Sequence, residues 1–201
     1  MQPSRRRPPP FFVIDSHPVP VCRTIRAGEK QRLDGLAQTG YCASKKMYFH
    51  GVREHLIVTP GGMIANLVQL PGNRHDVNGL YALLKTTFKG TLIGDSAYQP
   101  NAKKRVELNQ QGIHAHAIPK SNAKLPLAPV LVEWMHKKRA PIERRIGLFN
   151  EQCNAHRTLN RSARHYRARR LTKALAHNIS RLINVTNGRP KERVAYLRYA
   201  A

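Results

Sequence analysis

Three segments of the chain each end on a carboxylate held where a strand or helix would fix it: Phe11-Phe-Val-Ile-Asp15, Leu92-Ile-Gly-Asp95 and Arg139-Ala-Pro-Ile-Glu143. Acids are scarce, 11 Asp and Glu against 35 Lys and Arg, so a carboxylate closing an apolar run is not explained by solubility. Cleaving or transferring a phosphodiester needs an activated oxygen nucleophile and a stabilised leaving oxygen on opposite sides of phosphorus. Two Mg²⁺ (or Mn²⁺) ions about 4 Å apart can supply both, and carboxylate oxygens are their natural hard ligands. Three acids on separate rigid elements suffice.

The remaining composition fits a polyanionic substrate. The 201 residues, 41% of them hydrophobic, can bury one core of ordinary size but not a second large domain. A formal charge of +24, with a pI near 11.0, creates self-repulsion that nucleic acid relieves most simply. No segment reaches the roughly 18 apolar residues of a spanning helix, and the basic N-terminus lacks the apolar stretch of a signal peptide. The expected setting is the cytoplasm, without a membrane partner. Cys22, Cys42 and Cys153 are odd in number, widely separated and in no CxxC pair, which suggests neither a disulfide framework nor a zinc ribbon. His114 and His116 share a face of a strand, but no neighbouring third and fourth ligands accompany them, so they read as surface histidines.

The elements that must position the acids follow from periodicity. Residues 1–10 are a Pro and Arg tract, read as a disordered basic arm. Phe11 to Asp15 then begins the fold, whereas residues 16 to 45 show little periodicity. Met47 to Val58 and Met63 to Leu70 read as strands joined through Pro60-Gly61-Gly62 in an antiparallel hairpin. Asp76 is placed to cap a short helix over Val77 to Leu84, and this explains His75-Asp76 better than a phosphohydrolase metal doublet. Thr91 to Gly94 is a buried strand delivering Asp95, residues 100 to 111 a helix, and Gly112 to Ile118 another strand. Helix runs from about Val132, interrupted or restarted at Pro141. Leu171, Leu175, Ile179, Leu182 and Ile183 mark the apolar stripe of a last amphipathic helix, ended by Asn187-Gly188 and Pro190. The order describes an α/β domain with a mixed sheet. If the strands ending at Asp15 and Asp95 are parallel neighbours, both carboxylates meet at one edge of that sheet, with Glu143 brought over by a later helix.

Taken together, these residues resemble the DDE transposases of bacterial insertion sequences, most nearly the insertion-sequence nine-eighty-two type. The resemblance runs through Val13-Ile-Asp15-Ser-His-Pro-Val-Pro-Val-Cys22, Gly40-Tyr-Cys-Ala-Ser-Lys45, Gly51-Val-Arg-Glu-His-Leu-Ile-Val58, Asn73-Arg-His-Asp76, Leu92-Ile-Gly-Asp95-Ser-Ala-Tyr98 and Arg139-Ala-Pro-Ile-Glu143, over roughly residues 11 to 185. It implies a ribonuclease-H-like fold for residues 11–185, followed by a tail over 186–201. It also implies that Asp15, Asp95 and Glu143 are the catalytic and metal-binding triad, with Asp15 bridging two ions and the others completing one each. Related transposases carry Tyr, Arg, Glu and Lys at fixed intervals on the last catalytic helix. Here those intervals fall on His136, Arg139, Glu143 and Asn150, so the Tyr and Lys are replaced.

Glu143 also suits a first-turn acid among basic neighbours, and Glu133 and Glu151 remain alternatives for the third acid. Expected contacts to double-stranded DNA are Arg139, Lys45, His55 and His136, joined by Arg164, Arg167 and Arg170 from a basic run that nothing nearby balances. The implied reaction is metal-dependent strand cleavage and transfer, with a homodimer on DNA as a further partner arrangement. The first catalytic strand starts ten residues from Met1, without the N-terminal region such transposases place ahead of it. The alternative is therefore a truncated, catalytically inactive DNA-binding remnant. A basic ribosome-associated or RNA-binding protein would share the charge but leave the placed acids unexplained.

Overall fold

The computed structural model describes residues 11–24, 32–120, 123, 127–156 and 158–191. The basic arm at 1–10 and the tail beyond 191 lie outside the described residues. Six strands form one sheet: β1 (Phe11–Cys22), β2 (Gln38–Cys42), β3 (Met47–Val58), β4 (Ile64–Pro71), β5 (Gly90–Gly94) and β6 (Ile113–Ala117). The helices are α1 (Val77–Ala82), α2 (Ala102–Gln110), α3 (Pro129–Gln152) and α4 (Ala163–Thr186).

Strand order is β2-β3-β1-β5-β6, with β4 also on β3. β1 is antiparallel to β3, and parallel to β5 only over Phe11–Val13 against Thr91–Ile93. β2 and β4 pair with successive halves of β3, Met47–Gly51 and Val52–Val58, and so lie end to end along the edge that β1 leaves open. Where they abut, backbones nearly touch. A Cβ on Gly40 would sit 1.9 Å from the Gly72 carbonyl oxygen, and one on Gly72 would sit 2.4 Å from that of Gln38. Only glycine permits this approach. The sheet thus mixes parallel and antiparallel pairs and carries flanking helices, an α/β architecture consistent with a ribonuclease-H-like fold.

Adjacent residues of the central strands serve opposite faces, as a two-residue side-chain period requires. Val13, Leu56 and Ile93 pack with Met135, Ile142, Ile146 and Phe149 of α3, whereas Ile14, Ile57 and Leu92 pack with Leu80, Leu83, Tyr98 and Leu108 on the other side. Burial on both faces explains why these strands read as continuous apolar runs. The same period decides the site. Asp15 shares the parity of Val13, and Asp95 that of Ile93, so both acids start from the face that α3 covers.

Four sequence expectations need correction. Asp15 does not end its strand: β1 continues through Pro18 and Pro20 to Cys22, paired throughout with β3. The two prolines are two apart, so their missing N–H groups fall on one edge, the one β5 has left. β2, inside the stretch without periodicity, is a further strand. α3 runs unbroken through Pro141, because burying Met135 before it and Ile142, Ile146 and Phe149 after it outweighs one lost helical hydrogen bond. Lastly, the apolar stripe of α4 faces outward: Leu171, Leu175, Ile179 and Leu182 are 46 to 60% exposed, and Ile183 alone is half-buried. The buried row is Tyr166, Arg170, Ala174, His177, Arg181 and Asn184. Polar partners account for the inversion. Asn178 donates to and accepts from the backbone of Ile64 at 2.9 and 2.8 Å, His177 Nε2 meets the Gly62 carbonyl at 3.2 Å, and Arg181 bonds the Gly61 carbonyl.

Candidate functional site

Asp15 stands two residues beyond Val13 and Asp95 two beyond Ile93, the last paired positions of β1 and β5. Matched offsets in parallel strands bring both to the same level, where the strands separate. Each carboxylate is oriented locally: Asp15 Oδ1 accepts from the Ser16 N–H at 2.9 Å, and Asp95 Oδ1 accepts from the Ala97 N–H at 2.9 Å as cap of the turn Ser96–Tyr98. The long α3 crosses above them. Its Arg139 Nη2 lies 2.9 Å from Glu143 Oε1, 3.5 Å from Asp15 Oδ1 and 4.0 Å from Asp95 Oδ2.

One guanidinium nitrogen therefore gathers all three acids. Among the described residues only Glu143 joins this group. Glu133 pairs instead with Lys137 at 2.6 Å, and Glu151 is exposed two turns further along. Burial pushes the Asp15 pKa up to about 6, although Arg139 and the Ser16 N–H pull it down; the charges of Asp95 and Glu143 add to the rise. A desolvated carboxylate between two others calls for more positive charge than one shared arginine provides. Hard oxygen donors converging on a cationic group are the donor set that Mg²⁺ or Mn²⁺ takes. Among the described residues no three His, Cys, Asp or Glu side chains close on a point by themselves, because the acids approach Arg139 rather than one another. The donor set suits such ions, although Arg139 occupies the place between the acids here.

These acids line a cleft of about 1090 Å³ that also receives Ser16, Tyr41, Tyr48, Arg53, Arg74, Asp76 and Lys120. Asp76 was expected to cap α1, but it makes no cap bond. Its carboxylate accepts from Ser16 Oγ at 2.8 Å and Arg53 Nη1 at 3.2 Å, and Arg53 Nη2 donates to the Tyr41 carbonyl at 2.8 Å. Ser16, Arg53 and Asp76 thus form a wall of the site that the sequence reading did not assign. The signal available in the sequence was Ser16 beside Asp15, whereas the pairing that sets Arg53 opposite Pro18 appears only in the fold.

The expected DNA contacts divide. Lys45 is exposed in the turn between β2 and β3, His136 is exposed on α3 one turn before Arg139, and Arg164 and Arg167 are exposed on the first turns of α4. Two others are corrected. His55 is fully buried, with Nδ1 2.8 Å from Tyr98 Oη, and burial lowers its pKa. Arg170 is 1% exposed and grips Glu54 with Nε at 2.7 Å and with Nη2, while Nη1 donates to the Ala155 carbonyl. Neither can touch a duplex without unfolding the region. His114 and His116 are exposed together on β6, as read. The three cysteines are free thiols.

The mixed sheet thus gathers three acids in a cleft where four carboxylates and four Lys and Arg side chains meet, within an α/β domain. The family follows from comparison. A family model described as the transposase DDE domain matches residues 6–128, and the chain belongs to that family. The match includes Asp15 and Asp95 and stops before Arg139 and Glu143, so the assignment of Glu143 rests on geometry. No curated protein and no solved structure matches the chain. Membership implies the transposase enzyme class, with DNA as substrate and divalent metal ions as the group generally used. No described helix is long and apolar enough to cross a membrane.

Proposed function

We propose that residues 11–185 form the catalytic domain of an insertion-sequence transposase of the nine-eighty-two type, working in the cytoplasm. It cuts DNA at the ends of the element and joins the freed 3′-hydroxyl to target DNA. The observation that carries this reading is the convergence of Asp15, Asp95 and Glu143 on the single Nη2 of Arg139 in a cleft that Arg53, Arg74 and Lys120 also line.

Asp15, Asp95 and Glu143 are the residues to hold two Mg²⁺ or Mn²⁺ ions. The chemistry such ions supply when bound is activation of the attacking oxygen and stabilisation of the leaving one. The chain's own residues prepare the place. Asp15 and Asp95 are fixed by backbone N–H groups, and Arg139 lies against all three carboxylates that would hold the ions. With ions held by the acids, its guanidinium, one turn from Glu143, would be free for a phosphate oxygen, with His136, Lys45, Arg164 and Arg167 as outer contacts along the duplex. The outward ridge of α4 supports a second copy on the same DNA.

The test is nicking of DNA bearing the element's ends in Mg²⁺ or Mn²⁺. Asp15→Asn, Asp95→Asn and Glu143→Gln should each abolish nicking while binding persists, and Glu133→Gln and Glu151→Gln should leave it intact. An unaltered chain that binds but never nicks would remove the catalytic reading and leave the DNA-binding remnant.

A further inference from the structure

Eight residues along β3 from Leu56, the strand partner of Asp15, is Tyr48, and it lines the same cleft as Tyr41 of β2. The two tyrosines are direct cross-strand partners, with ring centroids 5.0 Å apart and planes tilted by 55°. Tyr41 is 47% exposed and Tyr48 67% exposed, with Met47 beside them at 43%. An aromatic pair contributes most when desolvated, and this one is left open to water. Its surroundings are cationic. The turn joining the two strands carries exposed Lys45 and Lys46, and Arg53 and Arg74 line the same cleft.

Resting on the reading of DNA as the substrate, we infer that the Tyr41–Tyr48 pair is a stacking platform for an unpaired base of the strand whose phosphate lies at Asp15, Asp95 and Glu143. Flat π-faces beside basic side chains are what an extruded or single-stranded base seeks, because every base offers a π-face and every nucleotide a phosphate. The platform belongs to the same continuous cleft as the acids, so a strand leaving the acids along it arrives at the rings. It is also held firmly. Arg53 bonds the Tyr41 backbone with one end of its guanidinium and Asp76 with the other, and the Gly40–Gly72 contact closes the root of the hairpin. A rigid aromatic surface binds a base with little loss of side-chain freedom.

The experiment compares the whole chain's affinity for a blunt duplex and for the same duplex with a short single-stranded overhang containing 2-aminopurine, in EDTA. The overhang should bind roughly tenfold more tightly, and the probe's fluorescence should be quenched on binding. Tyr41→Ala/Tyr48→Ala should lose both effects while keeping the blunt-duplex affinity and its salt dependence. Tyr48→Phe should keep them. Lys45→Ala/Lys46→Ala should weaken both DNAs alike. Equal binding of the two DNAs by the unaltered chain, or a double-tyrosine variant that retains the preference, overturns the platform. Nicking plays no part in the readout. A chain that nicks but shows no overhang preference overturns the platform alone, and one that never nicks but keeps tyrosine-dependent quenching supports it while the catalytic reading falls.

Discussion

Two arginines on two helices, Arg139 of α3 and Arg170 of α4, both face carboxylates across the sheet, and they do opposite things. Arg170 has one acid, Glu54, which it meets with two nitrogens, while its third nitrogen satisfies the Ala155 carbonyl; both side chains are essentially out of water. Arg139 spreads one nitrogen over three acids, leaves its Nε without a partner and stays 17% accessible. A saturated, desolvated pair cannot be opened without stranding a charge. A shared, half-satisfied one can exchange its counter-charge. The first fixes α4 on the sheet, and the second gathers three acids around one partly accessible guanidinium.

The comparison breaks most readily at Arg170. Removing one partner of a buried pair typically costs about 3–5 kcal/mol, so Arg170→Ala or Glu54→Gln should lower the urea midpoint sharply. Arg139→Ala should cost less, about 1 kcal/mol, because Asp95 and Glu143 are 37 and 52% accessible and can rehydrate, leaving only Asp15 desolvated. Equal losses for the two variants would erase the distinction.

Proton linkage sharpens it. Burial holds His17, 3.5 Å from Glu54, down to a pKa of about 3, so it is neutral beside the pair at ordinary pH. A depressed folded-state pKa means that its contribution to stability is complete above the unfolded value near 6.5 and is lost as pH falls toward 3. His17→Phe should flatten that acid limb in denaturation measured from pH 7 to pH 4. Asp15 has the opposite sign. Raised from 3.8 to about 6, it favours folding fully below 3.8 and loses that contribution as pH rises through 6. Without divalent ions, Asp15→Asn should therefore be more stable than the unaltered chain at pH 7.5 by up to about 3 kcal/mol, and no more stable at pH 4.

The smallest effect concerns the rest of the basic run. Arg164→Ala and Arg167→Ala should leave stability within about 0.5 kcal/mol, while each reduces the log–log salt slope of duplex binding by about 0.9 for the phosphate contact it removes. Anisotropy titrations across a salt series give the slope. An unchanged slope would place these side chains in plain solvent.

From the sequence alone Arg164, Arg167 and Arg170 looked alike, since the feature that separates them, Glu54, lies 116 residues from Arg170. The same limit explains α4 as a whole. Its leucines suggested an inward face, and nothing local shows that Asn178, His177 and Arg181 find backbone partners on the β3–β4 turn. Asp76 looked like a cap because its neighbours in sequence form a helix, whereas its partners come from β1 and β3. What could be read was whatever obeyed a local period. β3, β5, β6, α2 and the hairpin at Pro60-Gly61-Gly62 stand within a residue or two of expectation. The meeting of Asp15 and Asp95 was legible because buried parallel strands announce themselves as unbroken apolar runs.

The pinch between Gly40 and Gly72 makes the hairpin bearing Tyr41 and Tyr48 part of the sheet rather than an arm swinging from it. The span from those rings to the three acids is therefore a fixed length, as on a ruler. A strand seated at both ends must place a set number of nucleotides between its stacked base and the phosphate at the acids. Position along DNA is then counted in steps of backbone, without any side chain having to read a letter.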